Sequence, residues 1–368
     1  MVLRYILFFS SLLGVLAVGS YSIYKAYSAS GVLGKTGNNI LIVFLITIPI
    51  VFILTTLISM KVYNAINGGF YTISSTFLPF LLYLFIGAII ITILTIFIPI
   101  TKTGFHTVIV YGFMLFSLGI TIYGLINAHK FTVRNITIPK SNRLSQIWSG
   151  KKIVLVSDTH IGIVHGKKFM QKSVDFIDFQ KPDMVLIAGD LVDGPKFPTQ
   201  DYLSPLAGLV APMGVYYAPG NHEVYAGNSK ELFAVTDQYI TGLRDSKIMV
   251  NGTDIVGISY DAGEMPDGLK IRLDRSNFDA KNPSIVIIHE PKNNKTIQDA
   301  GADLVVSGHT HGGQVWPFTK FVKRIYKDYT SGLNLRNNNA SITTTGIGTW
   351  GPPVRIGTRP EIIVITFE

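Results

Sequence analysis

The sequence has no cysteine, which excludes disulfide frameworks, thiolate metal sites and cysteine nucleophiles and leaves the redox compartment open. It also has no Asp or Glu before residue 158. All 23 acidic residues follow that point, whereas 11 of the 32 Lys and Arg precede it. The formal charge of +9 therefore divides into +11 for the first part and −2 for the second. A basic chain invites a nucleic-acid partner, but the polar part is slightly acidic, and no nucleic acid is expected. Charge is missing altogether from four apolar runs, at about 5–24, 39–60, 77–100 and 107–127. Each reaches the ~20 residues that cross a bilayer core.

These runs predict an N-terminal four-helix transmembrane region over residues 1–129, hence a multi-pass cell-membrane protein whose first partner is the lipid bilayer. The first run also resembles a signal peptide, with Arg4 ahead of it and small residues at 26–30, but three further spans favour a retained helix. Pro49, Pro79 and Pro99 fall within or near the runs, where kinks are tolerated. With four spans, both ends share one side. That side carries Arg4, Lys61, Lys130, Arg134, Lys140 and Arg143, against Lys25, Lys35 and Lys102 on the other. The positive-inside rule then places the rest of the chain in the cytoplasm. With no charged residue inside the spans, an anchor is the preferred reading over a transporter.

After Asn127 the pattern changes to short β-branched runs alternating with helical ones, which predicts an α/β domain over 130–368. Strands are expected at 131–138, 153–157, 184–188, 215–218, 255–258, 285–288, 304–307, 341–345 and 362–367, and helices at 167–180, 229–243 and 293–300. Polar residues gather where strands end. "IVLVSDTH" closes on Asp158 and His160, "MVLIAGD" on Asp190, "VYYAPGNHE" on Asn221, His222 and Glu223, and "IVIIHE" on His289. "LVVSGHTHGGQVW" carries His309 and His311 in a glycine-framed turn able to aim both rings into one space. Five of the eight histidines thus sit at strand ends, where α/β sheets hold ligands.

The elements Asp-x-His, Gly-Asp, Gly-Asn-His-Glu, His and Gly-His-x-His, in that order, resemble the calcineurin-like metallophosphoesterase superfamily. "GHTHGGQ" (308–314), "YTSGL" (329–333) and "GTWGPPVRIGTRPEI" (348–362) are similar to its membrane-associated bacterial branch with N-terminal transmembrane helices. The resemblance covers about 130–368 and implies a four-layer α/β/β/α sandwich. It implies two divalent metal ions, Mn²⁺ favoured over Fe or Zn²⁺ for a donor set without thiolate. Asp190 would bridge them, with Asp158, His160 and His311 on one ion and Asn221, His289 and His309 on the other. His222 would act as the catalytic proton donor to the leaving group.

Two cations about 3.5–4 Å apart lower the pKa of a shared water and neutralise charge developing on phosphoryl oxygens. The expected function is thus an integral-membrane two-metal phosphohydrolase, a phosphodiesterase or pyrophosphatase acting on a membrane-held phosphoester such as a lipid-linked phosphate. The alternatives are a phosphomonoesterase or protein phosphatase, or a non-catalytic scaffold, which would be expected to lose ligands. His165, in "GIVHGKK", reads as an exposed loop residue. Glu223 either orients His222 or is solvated, and Arg355 and Arg359 either reach a substrate phosphate or form structural ion pairs. "FVKRIYK" (321–327) and the basic residues of 130–152 either touch an anionic surface or are simply solvated.

Overall fold

A computed structural model describes residues 2–29, 31–62, 64–97, 104–194, 197–227, 229–260 and 268–368. The chain forms two compact units, 1–126 with 351–354, and 127–350 with 355–368.

The first unit is built from helices α1 (Val2–Ser28), α2 (Gly34–Ser59), α3 (Ala65–Phe97) and α4 (Gly104–Asn127). Among the described residues, α2, α3 and α4 are long and apolar enough to cross a membrane, with mean hydropathies of 2.9, 2.7 and 2.0. Three of the four expected spans are therefore borne out among the described residues. The first run does form a helix, but the side chains of residues 2–6 and 8 lie outside the described residues, as does Pro99 with the end of the third run. Helix α3 begins twelve residues before its apolar run because its polar start satisfies itself. Thr72 and Ser74 return their hydroxyls to the carbonyls of Gly68 and Phe70 at 2.8 and 2.7 Å. Ile23, Leu45, Leu84 and Ile91 pack inward, while Val43, Phe70 and Ile93 face outward, the inversion expected of helices solvated by lipid.

The second unit runs β1 (Thr132–Ile138), α5 (Leu144–Ile147), β2 (Ile153–Val156), β3 (Ile161–Gly162), α6 (Lys167–Asp178), β4 (Met184–Ala188), β5 (Val192–Asp193), α7 (Thr199–Leu203) and β6 (Val215–Ala218). It continues through α8 (Asn221–Tyr225), α9 (Ser229–Thr236), β7 (Thr241–Gly242), β8 (Ser246–Val250), β9 (Thr253–Ile258), α10 (Gly268–Arg275), β10 (Ser284–Ile288) and α11 (Asn294–Asp299). It closes with β11 (Leu304–Ser307), α12 (Phe318–Tyr326), β12 (Gly332–Arg336), β13 (Asn339–Thr343) and β14 (Glu361–Phe367).

Two six-stranded sheets result, ordered β1-β14-β2-β4-β6-β7 and β12-β13-β11-β10-β9-β8. Alternate residues of one sheet, such as Leu155 and Leu186, meet those of the other, such as Ile285 and Val306, in a fully buried inter-sheet core. The opposite face of the first sheet packs on Met170, Val174 and Ile177 of α6. The opposite face of the second packs on Ile297 of α11 and on Leu269 and Leu273 of α10. The layers are thus α/β/β/α, as the resemblance implies.

Strands β2, β4 and β6 are parallel, as are β10 and β11, so each group ends at a common edge. Strand β14 is antiparallel to β2 and parallel to β1, with Thr132 opposite Glu361 and Ile363 opposite Leu155. Strand β1 consequently begins at the rim where β2 ends. Sequence patterning missed β3, β5, β7, β8, β12, α5, α7, α8, α10 and α12, and the expected 229–243 helix ends at Thr236 and gives way to β7. Strands of two residues are too short to show a period.

Candidate metal centre

The proposed site residues arrive at one place from the ends of β2, β4, β6, β10 and β11. Three groups of side chains have ligand atoms within 4.8 Å of one another: Asp158, His160 and His311; Asp190, His289 and His309; and His160, Asp193 and His222. The glycine-framed turn separates its two histidines between the first two groups. Asn221 joins the second, its Oδ1 lying 2.9 Å from His309 Nδ1 and 3.1 Å from His289 Nε2. Asp190 is central: its Oδ2 lies 3.1 Å from His289 Nε2 and 3.9 Å from His160 Nε2.

This convergence costs backbone strain. Asp158, His160, Asp190, His309 and His311 all have positive φ, between 47° and 70°, a region that side chains with a Cβ rarely adopt. Glycine makes room around them. Gly308 lies so close to Ser157 and Asp158 that a Cβ would collide with both side chains, and at Gly313 (φ +83°) a Cβ would meet Thr319 Cα at 2.6 Å.

The donor set fits divalent ions. His160 Nε2 and His311 Nε2 approach to 3.0 Å, and His289 Nε2 and His309 Nδ1 to 3.1 Å. Two imidazole lone pairs aimed at one point repel unless a proton or cation lies between them. Burial holds His160 and His309 neutral, at about 4 and about 3, and keeps His311 well below its ordinary value. His289 donates from Nδ1 to the Ala188 carbonyl at 2.8 Å, which turns Nε2 toward Asp190. Burial opposes charge on His289, but Asp190 outweighs it and raises the group to about 10. A proton on Nε2 and a metal ion would compete for that place.

His222 is bound differently. Its backbone N–H donates to Asp190 Oδ1 at 2.9 Å, and its Nδ1 lies 2.8 Å from Asp193 Oδ1. Burial disfavours its charge, but Asp193, then Asp190 and Glu223, raise it to about 9. Nε2 is left facing the centre, 4.0 Å from Asp190 Oδ2. The exposed rings of Tyr225 and Trp350 stand 6.2 and 6.3 Å from the imidazole.

Other expectations need correction. Glu223 neither orients His222 by hydrogen bond nor meets solvent. It is fully buried and accepts from the backbone N–H groups of Asp190, Val192 and Gly220 at 3.0, 3.0 and 2.6 Å, stitching two site loops together. His165 is buried rather than exposed, stacked on Phe169 at 4.0 Å and accepting at Nε2 from the Thr349 N–H at 3.1 Å. Arg355 is fully buried, and among the described residues it has no carboxylate hydrogen-bond partner. It donates to the carbonyls of Thr345, Gly346, Gly348 and Arg359 and reaches His311 Nδ1 at 3.2 Å, so it braces the loop behind His311 instead of facing a substrate. The side chain of Arg359 is exposed. "FVKRIYK" is largely helical, forming most of α12. Asp193 was not anticipated; the "GDLVDG" stretch places it three residues after Asp190.

Two sheets whose strand ends pool nitrogen and oxygen donors around one carboxylate place the second unit among metallophosphoesterase domains. Residues 151–313 match the calcineurin-like phosphoesterases, and the chain carries a domain of that family. A Campylobacter jejuni protein described as an uncharacterized metallophosphoesterase is 33% identical over 229 residues, 59% of this chain and 59% of that protein. A Helicobacter pylori J99 protein of the same description is 34% identical over 222 residues, 57% of this chain and 58% of its own. A Danio rerio protein described as a transmembrane protein with metallophosphoesterase domain is 28% identical over 264 residues, 68% of this chain and 60% of its own. The chain thus spans about three fifths of the length of these relatives.

Proposed function

We propose that the protein is a membrane-anchored, two-metal phosphohydrolase that cleaves phosphodiesters or pyrophosphates held at the bilayer. The observation that carries this reading is the pair of donor groups flanking Asp190 with His222 beside them. In it, Asp158, His160 and His311 would hold one divalent ion, Asn221, His289 and His309 the other, and Asp190 would serve both. When bound, the ions supply an activated water and neutralise charge on the phosphoryl oxygens. The residues do the rest. The Asp193 carboxylate keeps the imidazole of His222 protonated and turns Nε2 toward the centre. As a water oxygen forms its bond to phosphorus and the opposite P–O bond breaks, His222 passes its Nε2 proton to the departing oxygen. Tyr225 and Trp350 give the leaving-group side an apolar wall. The metal is Mn²⁺ in this reading, with Fe or Zn²⁺ as substitutes.

The membrane-held substrate is supported by chain connectivity. Only residues 128–131 separate α4 from β1, and β1 begins at the rim that carries the site. Four residues reach at most about 14 Å. The catalytic unit faces the cytoplasm in this reading, in keeping with the basic residues around 130–152.

The test is to assay the purified full chain with each metal on bis(p-nitrophenyl) phosphate and p-nitrophenyl phosphate, then on a lipid diester in nanodiscs and its short-chain soluble analogue. Diester preference with faster turnover of the embedded lipid is expected. Preference for the monoester would make it a phosphomonoesterase, and equal rates on the two lipids would reduce the helices to an anchor.

A further inference from the structure

Helix α12 presents three distinct faces. Thr319, Val322 and Tyr326, spaced i, i+3, i+7, are half-buried against the domain, and the Tyr326 hydroxyl donates to Glu290 at 3.1 Å while its ring lies 6.1 Å from that of His309. Phe318, Phe321 and Ile325 repeat the same spacing one position earlier and point outward, 50%, 60% and 69% exposed. Trp316, just before the helix, is 43% exposed. Lys320, Lys323, Arg324 and Lys327 occupy the remaining surface, no acidic residue lies within the helix, and these four cations enter no ion pair among the described residues. Asp328 is the acid that follows directly.

A soluble surface seldom exposes two phenylalanines and an isoleucine side by side on one helix face. From this arrangement we infer that α12 docks on an anionic bilayer surface, its apolar face lying among the headgroups and upper acyl chains and its cations pairing with lipid phosphates. An apolar stripe flanked by lysine and arginine, with an aromatic ring at one end, is the composition of a helix that lies in a membrane interface. A second protein would need acids to meet these cations and would offer no general reason for the exposed stripe, whereas anionic lipid answers both. The placement is consistent with this occupant. α12 follows the His309–His311 turn, and its Tyr326 ring stands beside that of His309. Gly313 permits the close approach of Thr319 that holds the helix there. Docking would therefore seat the mouth of the metal centre over the headgroups. The inference stands whichever phosphoester the site cleaves.

The cysteine-free chain allows a single-site test. Full-length protein carrying Phe321→Cys is labelled with an environment-sensitive fluorophore and reconstituted in nanodiscs of phosphatidylcholine, with or without phosphatidylglycerol and with doxyl-labelled acyl chains. Phe179→Cys, at an 82% exposed position after α6, serves as the reference label. Quenching at 321 several-fold above that at 179 is expected in the anionic discs. It should fall toward the reference in pure phosphatidylcholine and when Lys320, Lys323 and Arg324 are changed to Glu. Equal quenching at 321 and 179, or quenching indifferent to both lipid charge and the Glu substitutions, overturns the inference. A blue shift at 321 that depends on protein concentration and not on lipid overturns it in favour of a second copy of the chain.

Discussion

Asp193 Oδ1 and His222 Nδ1 lie 2.8 Å apart, and this contact fixes which nitrogen of the imidazole faces the metal centre. Asp193→Asn keeps the shape but removes the charge that favours the imidazolium. Turnover is expected to drop roughly 10–100-fold, against roughly 10²–10⁴-fold for His222→Ala. A proton donor works only below its own pKa, which is about 9 for His222. The alkaline limb of the rate profile should therefore move to lower pH in Asp193→Asn while metal content holds. An unmoved limb would separate Asp193 from the proton transfer.

Asp190 lies within reach of both donor groups. Metal analysis of the purified chain should approach two ions per molecule, and Asp190→Ala should lower occupancy at both positions. Asn221→Ala should lower one and spare the other.

Glu223 is a structural acid at the heart of the site. Glu223→Ala leaves three buried N–H groups without an acceptor, each worth about 1–3 kcal/mol. Thermal melting should show a loss of about 3 kcal/mol or more, with Glu223→Gln losing less because one acceptor oxygen remains.

His165 is predicted to make the domain acid-sensitive. Burial pushes its pKa down from 6.5 to about 3, and its Nε2 accepts a backbone N–H, so protonation breaks that bond. Between those values the unfolded chain binds the extra proton. The contribution is therefore complete above about 6.5 and is lost as pH falls toward 3, at no more than about 1.4 kcal/mol per pH unit. Melting curves of His165→Gln should fall less steeply with acid than those of the native chain. The limb should be reduced and not abolished, since His160, His309 and His311 are depressed in the same direction.

Much of this was legible because buried parallel strands advertise themselves. Met184–Ala188 and Leu304–Ser307 form where their β-branched runs stand, and ligand-type residues follow each. What stayed hidden depended on partners remote in sequence. Asp193 lies on a two-residue strand, and its role appears only when β5 meets the start of α8. His165 sits among Gly and Lys and reads as surface, yet Phe169 and Thr349 enclose it. The span of α12 was obscured because its apolar residues face outward, reversing the usual assignment of hydrophobic faces to cores. The positive φ at five candidate ligand positions has no signal in residue identity, since the site and not the residue type imposes it.

The pairing of β1 with β14 has a consequence for how the chain is made. β1 is an edge strand whose one sheet neighbour is β14, and about 220 residues of synthesis separate the two. At ~5–20 residues per second, a ribosome needs roughly 10–45 s to supply that neighbour. Throughout that interval, the first strand made after the membrane helices carries an unpaired backbone edge. Strand β14 is thus the clasp that β1 awaits, and a stall shortly before Glu361 would strand an adhesive edge beside the insertion machinery.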